Sequence, residues 1–282
     1  MNIDLKDLRK DINRSVRIAL EEDIGPGDIT AELIPAEQKA TATVITREDC
    51  VVCGQAWFDE TFEQLGGLDV IEWHVKDGDC VKAGKVLVTL KGNTRRLLTG
   101  ERTALNFLQL LSGTATTSAQ YAELVKGTDT IVLDTRKTIP GLRTAQKYAV
   151  AVGGCANHRI GLFDAFLIKE NHIEACGGIA EAISKAKALY PEKTIEIEVE
   201  NLDQLELALK AKANIIMLDN FSTEMLNKAK KLKPEESRFE ISGNMDLSKL
   251  ANIPDKLVDF ASVGRLTKDL KAIDLSFKLA SC

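Results

Sequence analysis

Six short apolar runs constrain the fold of this chain more than any other feature: TIVLDT (130–135), AFLIKEN (165–171), TIEIEVEN (194–201), NIIMLDN (214–220), FEISGN (239–244) and DFASVG (259–264). Helical segments at about 142–152, 174–189, 202–212 and 223–232 separate most of them, and such alternation specifies βα units around a parallel sheet. Each run ends in polar or glycine-containing sequence: Asp134-Thr135-Arg136-Lys137, Lys169-Glu170-Asn171, Glu198-Val199-Glu200-Asn201, Asp219-Asn220, Ser242-Gly243-Asn244 and Val263-Gly264-Arg265. In a βα barrel those ends converge on one face, where such enzymes keep their active sites. A doubly wound open sheet would instead gather its ligand residues at one switch point. Residues 106–265 are few for eight units, which need ~250 residues, so an incomplete, open TIM-like barrel is expected.

The first third reads as an α+β unit. Leu5, Leu8, Ile12, Val16, Ala19 and Leu20 recur at helical spacing before Gly25-Pro26-Gly27, predicting an amphipathic helix over 5–22. KATATVITR (39–47) alternates as a strand, AWFDETFEQLGG (56–67) suits a short helix, and residues 70–92 hold two strand-like runs divided by Gly78 and Gly84. That last stretch resembles the hammerhead hairpins of lipoyl and biotinyl carriers but lacks a lysine at the hairpin tip, so its glycines are read as turn chemistry. From about residue 97 a helical stretch places Leu98, Leu105, Leu108 and Leu111 on one face, while Gly113 weakens its continuation. A domain junction is expected here.

With 37 Lys+Arg against 42 Asp+Glu the net charge is −5, which gives no global attraction to nucleic acid or to an anionic membrane. No apolar run approaches the ~18 residues of a membrane span, and the N-terminus reads as a helix rather than a signal peptide. A soluble, cytoplasmic protein is expected. Its cysteines at 50, 53, 80, 155, 176 and 282 are then expected to be reduced, and Cys50-Val-Val-Cys53, lacking a second such pair, is read as structural.

At the strand ends the cations come first, as Arg136, Lys137, Arg159 and Lys169, and the carboxylates Glu198, Glu200 and Asp219 follow. This segregation points to a two-part ligand, anionic on one side and carrying hydroxyls or a divalent cation on the other. Arginine suits planar carboxylates and lysine can follow a phosphate. Lys169, read as lying inside an apolar strand, either meets ligand or pairs with a carboxylate such as Glu198, because a buried lone ammonium is costly. Glu196, Glu198 and Glu200 project to one side of their strand. Glu196, near the strand start, is read as solvated; Glu198 and Glu200 approach the catalytic end, where they can hold Mg²⁺ directly or through water, or accept sugar hydroxyls. Glycine backbone at Ser242-Gly243-Asn244 and Val263-Gly264-Arg265, with Lys268 behind, offers a phosphate cradle. His158 and His172 have no partners at metal-ligand spacing, which argues against zinc.

Longer motifs carry a resemblance. RRLLTGERTALNFLQLLSG (95–113), LDTRKTIPGLR (133–143), GGCANHRIGLFDAFLIKENH (153–172), IEVEN (197–201), IMLDNF (216–221), ISGN (241–244) and SVGRLTKDLKAIDLSF (262–277) resemble the quinolinate phosphoribosyltransferases, over roughly Asp23 to Phe277. The resemblance implies an N-terminal α/β sandwich over residues 1–107, completed by 270–282, and an open, seven-stranded α/β barrel over 108–269. It implies a homodimer or higher assembly of dimers with sites at the subunit interface, and Mg²⁺-dependent condensation of quinolinate with 5-phosphoribosyl-1-pyrophosphate to nicotinate mononucleotide, pyrophosphate and CO₂ in NAD biosynthesis. Carried over by motif, Arg136, His158, Arg159 and Lys169 would surround quinolinate, with Arg102 reaching in from the partner subunit. Lys137 would meet the phosphoribosyl pyrophosphate, Glu198 and Asp219 its ribose and metal, and Ser242, Gly243, Gly264 and Lys268 its phosphate.

The chain departs from the family pattern at Cys155 and Asn244, where glycine is frequent, at Lys268, where histidine is frequent, and at Leu110, where many members have arginine. Two readings of the same fold stay open: a nicotinate-type phosphoribosyltransferase without decarboxylation, and the family's paralogue associated with molybdenum transport. So do a Schiff-base aldolase using Lys137 or Lys169, and a non-enzymatic carrier.

Overall fold

The computed structural model describes residues 5–253 and 256–281. In chain order its elements are α1 (Leu5–Ile24), β1 (Lys39–Thr46), β2 (Cys50–Val51), α2 (Gln55–Gln64), β3 (Val70–Trp73), β4 (Cys80–Val81), β5 (Val86–Asn93), α3 (Thr94–Leu124), β6 (Ile131–Leu133), α4 (Arg143–Val152), β7 (Phe166–Ile168), α5 (Glu170–Cys176), α6 (Ile179–Leu189), β8 (Ile195–Val199), α7 (Leu202–Lys210), β9 (Ile215–Asp219), α8 (Thr223–Leu232), β10 (Arg238–Ser242), α9 (Leu247–Ala251), β11 (Phe260–Ser262), α10 (Arg265–Lys268) and β12 (Leu275–Ser281). They form two compact units. One comprises the chain up to Ala119 with Thr138–Gly154 and the segment from Asp269; the other comprises Gln120–Lys137 and Cys155–Lys268.

In the first unit β12, β1, β5 and β3 form an antiparallel sheet in that order, and β2 pairs with β4. Alternation along β1 buries Ala40, Ala42 and Val44 against Leu87, Leu90, Phe58, Phe62, Leu105 and Leu108, which is the pattern expected of a sheet solvated on one face. Leu8, Ile12, Val16 and Leu20 of α1 bury their stripe against Trp57, Leu111, Tyr148 and Ala149; Leu5, also assigned to that stripe, has its side chain outside the described residues. Gly113 does not interrupt the helix around it. α3 runs unbroken because the carbonyl oxygen of Lys271 occupies the place a Cβ at 113 would take, so the glycine serves a close backbone approach rather than a helix end.

All six apolar runs form strands of the second unit, where the sheet is wholly parallel and ordered β6-β11-β10-β9-β8-β7. The seven-stranded count is corrected: among the described residues there are six strands, and beyond β6 the chain adds only the single bridge Leu133 to Ala156. Pairing stops there because the side chain of Asp134 takes over from backbone. Its Oδ1 accepts the His158 amide at 2.9 Å and its Oδ2 accepts Asn157 Nδ2 at 2.7 Å. Ile195, Ile197 and Val199 are buried on the side of β8 that α6 and α7 cover, leaving the other side for polar residues. The helix expected over 174–189 is two helices, split where Gly177 and Gly178 both adopt positive φ.

Candidate active site

Arg136, Lys137, His158, Arg159, Lys169 and Glu198 line one cavity of the second unit together with Thr135, Ser242 and Ser262. An adjoining cavity shares Lys137, Lys169, Glu198 and Ser242, and adds Asp219, Asn220, Gly243, Asn244, Gly264, Arg265 and Lys268. The predicted segregation of charge holds only in part: the arginines at 136 and 159 stand apart from Asp219, but lysines and Glu198 line both cavities. Arg136 and Arg159 are confined to the first cavity, whereas Asp219, the glycine backbone at 243 and 264, and the further cations Arg265 and Lys268 are confined to the second. Glu200 joins neither; it is exposed, and its amide donates to Gln204 at the start of α7. Arg102 lies in the first unit, 58% exposed, with its guanidinium 3.8 Å from Glu101.

Lys169 is not inside a strand. β7 ends at Ile168, and Lys169 caps α5 with its amide donating to His172 Nδ1 at 3.0 Å, which gives His172 a structural role. The Lys169 side chain is 43% exposed, and its ammonium lies 2.6 Å from Oε2 of Glu198, whose side chain is 11% exposed. Solvent thus removes the burial penalty assumed from the apolar run. The ion pair forms, and both its members line both cavities.

Arg159 sits in the loop before β7, where its Nη1 donates to the Ala165 carbonyl at 3.1 Å. Burial and, next, the neighbouring Arg136 guanidinium push its pKa down, since both disfavour its charge. An anion between the two arginines would relieve that repulsion.

The second cavity is shaped by backbone. Asn220 follows β9 in the left-handed region (φ 53°) and donates through Nδ2 to Asp219 Oδ2 at 2.7 Å, fixing that carboxylate. Gly243 has φ 108°, and a Cβ there would strike the Asn220 side chain. Asn244 also has positive φ (46°), a conformation that asparagine tolerates best after glycine, so its replacement of the family glycine keeps the turn. At Gly264 a Cβ would stand 3.2 Å from Lys137 Cδ, so the glycine lets the lysine stem lie along the backbone, while Thr267 Oγ1 donates to the Lys137 carbonyl at 2.8 Å. Glu198 and Asp219, near the ends of adjacent strands β8 and β9, both line this cavity and offer the hard carboxylate oxygens that a divalent cation takes.

Glu196 corrects the solvated reading. It is 2% exposed, and its Oε2 lies 2.8 Å from His158 Nε2, because the side of β8 opposite the helices faces the interior of the strand array. Glu240 is wholly buried beside it and was not singled out from sequence, although Phe239-Glu240-Ile241 repeats the apolar-acid-apolar alternation of β8. The His158, Glu196 and Glu240 ligand atoms lie within 4.8 Å of one another, a proximity that spacing along the chain concealed.

Cys50, Cys53, Cys80, Cys155 and Cys176 are free thiols; Cys282 lies outside the described residues. Burial, with Asp134 adding to it, pushes Cys155 up to about 12. Cys155 is therefore expected to resist thiol reagents in the native protein and to react only on unfolding, while exposed Cys80 is labelled readily. Mass spectrometry after brief alkylation reads this directly, and early modification at Cys155 would contradict it.

Comparison with known proteins identifies the family. Residues 28–112 match the family described as quinolinate phosphoribosyl transferase, N-terminal domain, and residues 114–278 match its C-terminal domain. The probable nicotinate-nucleotide pyrophosphorylase [carboxylating] of Bacillus subtilis is 40% identical over 90% of this chain and 89% of its own. The nicotinate-nucleotide pyrophosphorylase [carboxylating] of Mycobacterium leprae is 37% identical over 94% of this chain and 96% of its own. The solved structure of the nicotinate-nucleotide pyrophosphorylase from Francisella tularensis superposes with a TM-score of 0.93 at 50% identity, covering 96% of both chains. With both domain families matched in order along one chain, this protein belongs to the quinolinate phosphoribosyl transferase family.

Proposed function

We propose that the chain transfers the phosphoribosyl group of 5-phosphoribosyl-1-pyrophosphate to quinolinate and decarboxylates the product to nicotinate mononucleotide, releasing pyrophosphate and CO₂ for NAD biosynthesis. One observation carries the reading: a cavity lined by Arg136, His158 and Arg159 meets, at the Lys169 to Glu198 pair, a cavity that combines Asp219, glycine backbone and Lys268. Arg136, His158, Arg159 and Lys169 hold the diacid, and its carboxylate competes with Glu198 for Lys169. Gly243, Gly264, Ser242 and Lys268 receive the 5-phosphate, and Lys137, between the cavities, meets the pyrophosphate.

The pyridine nitrogen, oriented by the bound carboxylates, attacks the anomeric carbon as the bond to pyrophosphate breaks. Glu198 and Asp219 steady positive charge developing on the ribose. Mg²⁺ held by Glu198 and Asp219, directly or through water, would neutralise charge on the departing pyrophosphate. The ring, now cationic, retains the electron pair when the carboxylate beside its nitrogen leaves as CO₂, and that carbon then takes a proton. Incubation with Mg²⁺, phosphoribosyl pyrophosphate and quinolinate should yield nicotinate mononucleotide and CO₂ in equal amounts; product without CO₂ from nicotinate would overturn the assignment.

The working form in this reading is a cytoplasmic homodimer, or an assembly of dimers, in which Arg102 of the partner subunit completes each diacid site. The exposure of Arg102 and its distant Glu101 contact leave it available for that role. Arg102→Ala and Lys137→Ala, each inactive alone, should complement when subunits exchange. One site of each mixed dimer carries both lesions and the other neither, so about a quarter of wild-type sites return. Confirmed exchange without recovery would place Arg102 in its own subunit's site or in none.

A further inference from the structure

Below the cationic cavity, Glu196 from β8, Glu240 from β10 and His158 from the loop before β7 form a buried cluster. His158 Nε2 is 2.8 Å from Glu196 Oε2 and 3.6 Å from Glu240 Oε2, and Ser262 Oγ of β11 donates to Glu240 Oε1. Among the described residues, Glu196 Oε1 and Glu240 Oε2 are buried acceptors with no donor. Two such oxygens require a proton or a cation. The 2.8 Å contact of His158 Nε2 with Glu196 Oε2 is an ordinary hydrogen-bond separation, closer than two ligands of one tetrahedral ion stand, so no such ion bridges that pair; a proton on one carboxyl would supply the donor that the other lacks.

We propose that Glu240 is a positioning residue: it carries a proton and donates it in a hydrogen bond to Glu196, which in turn accepts from His158 and holds the imidazole at the floor of the diacid cavity. The inference rests on quinolinate being the occupant of that cavity. Burial, and next the charge of Glu196, push Glu240 up to about 8, while His158 and the Ser262 hydroxyl act in the opposite direction. Those are the groups facing it, from β8, the 155–165 loop and β11; its registered neighbour on β9 is the uncharged Met217, and Arg159 lies within electrostatic reach of Glu196. Below that pH the acid form supplies the missing donor. As pH rises through about 8 the proton leaves, and negative charge appears beneath a dianionic substrate.

Two readouts test this. Infrared spectra of the wild-type enzyme, with and without ¹³C-glutamate labelling, should show the carbonyl stretch of a buried neutral acid at pH 7 that disappears through about pH 8, shifts in Ser262→Ala and is missing in Glu240→Gln. In steady-state assays, quinolinate KM of the wild type should rise up to about tenfold per pH unit above that point while kcat moves less. In Glu240→Gln, an amide that can donate but not ionise, KM should not depend on pH over the same range. Absence of the band, or the same KM profile in wild type and Glu240→Gln, overturns the proposal. So does a stoichiometric metal lost in His158→Ala. The band decides the proton without any assay, and turnover of quinolinate decides the substrate without the band, so the two readings fail separately.

Discussion

Nicotinate is expected to replace quinolinate only with a loss of at least about a hundredfold in kcat/KM. Arg136, Arg159 and Lys169 line one cavity, more cation than a single carboxylate satisfies. The charge of Arg159 is already disfavoured by its burial and by Arg136, so binding of a monoacid leaves part of that repulsion in place. A charge-assisted hydrogen bond contributes about 1.5–3 kcal/mol, and a site built for such bonds rejects the analogue that cannot make them. Loss of two amounts to about 3–6 kcal/mol, or roughly 10²–10⁴ in the specificity constant. Measuring kcat/KM for both acids at one concentration of phosphoribosyl pyrophosphate checks this; similar values would remove the reason for reading the cavity as a diacid site.

Lys169→Met is expected to lower kcat/KM for quinolinate by about 10²–10³ while the melting temperature moves by only a few degrees. The Lys169 side chain is 43% exposed, so its pair with Glu198 is screened and contributes at most about 1 kcal/mol to stability. Methionine keeps the apolar stem over the helix start. What disappears is a charge shared by both cavities. The reciprocal change, Glu198→Ala, should leave calorimetric affinity for quinolinate intact or improved, because it frees Lys169 from its competitor, yet should abolish turnover. A Lys169→Met protein that fails to fold, or one that retains activity, would return Lys169 to a purely structural role.

How far these sites were legible in the amino-acid sequence follows from the range of the interactions involved. The six strands and the polar residues at their ends were readable because alternation, run length and flanking glycines act over a few residues, and because parallel βα units bring equivalent ends to one face. Eleven of the twelve residues assigned to the site line the two cavities, most of them for that reason, although His158 and Arg159 come from the loop before β7; Arg102 alone, on α3 of the other unit, lines neither. The motif resemblance, rather than spacing, supplied their separate roles. Lys169 was placed on the wrong side of a strand end, since an apolar run does not mark the residue at which a strand yields to a helix cap. Glu196 and Glu240 were beyond local reading. Alternation states that Glu196 and Glu198 share a side of β8, but only the successive ranks of β8, β9, β10 and β11 make that side an interior, and only the Asp134 anchor on the 155–165 loop brings His158 into it. A buried carboxylate is defined by what surrounds it, and here the polar partners are remote in the chain: His158 lies 38 residues from Glu196, and Ser262 lies 22 from Glu240.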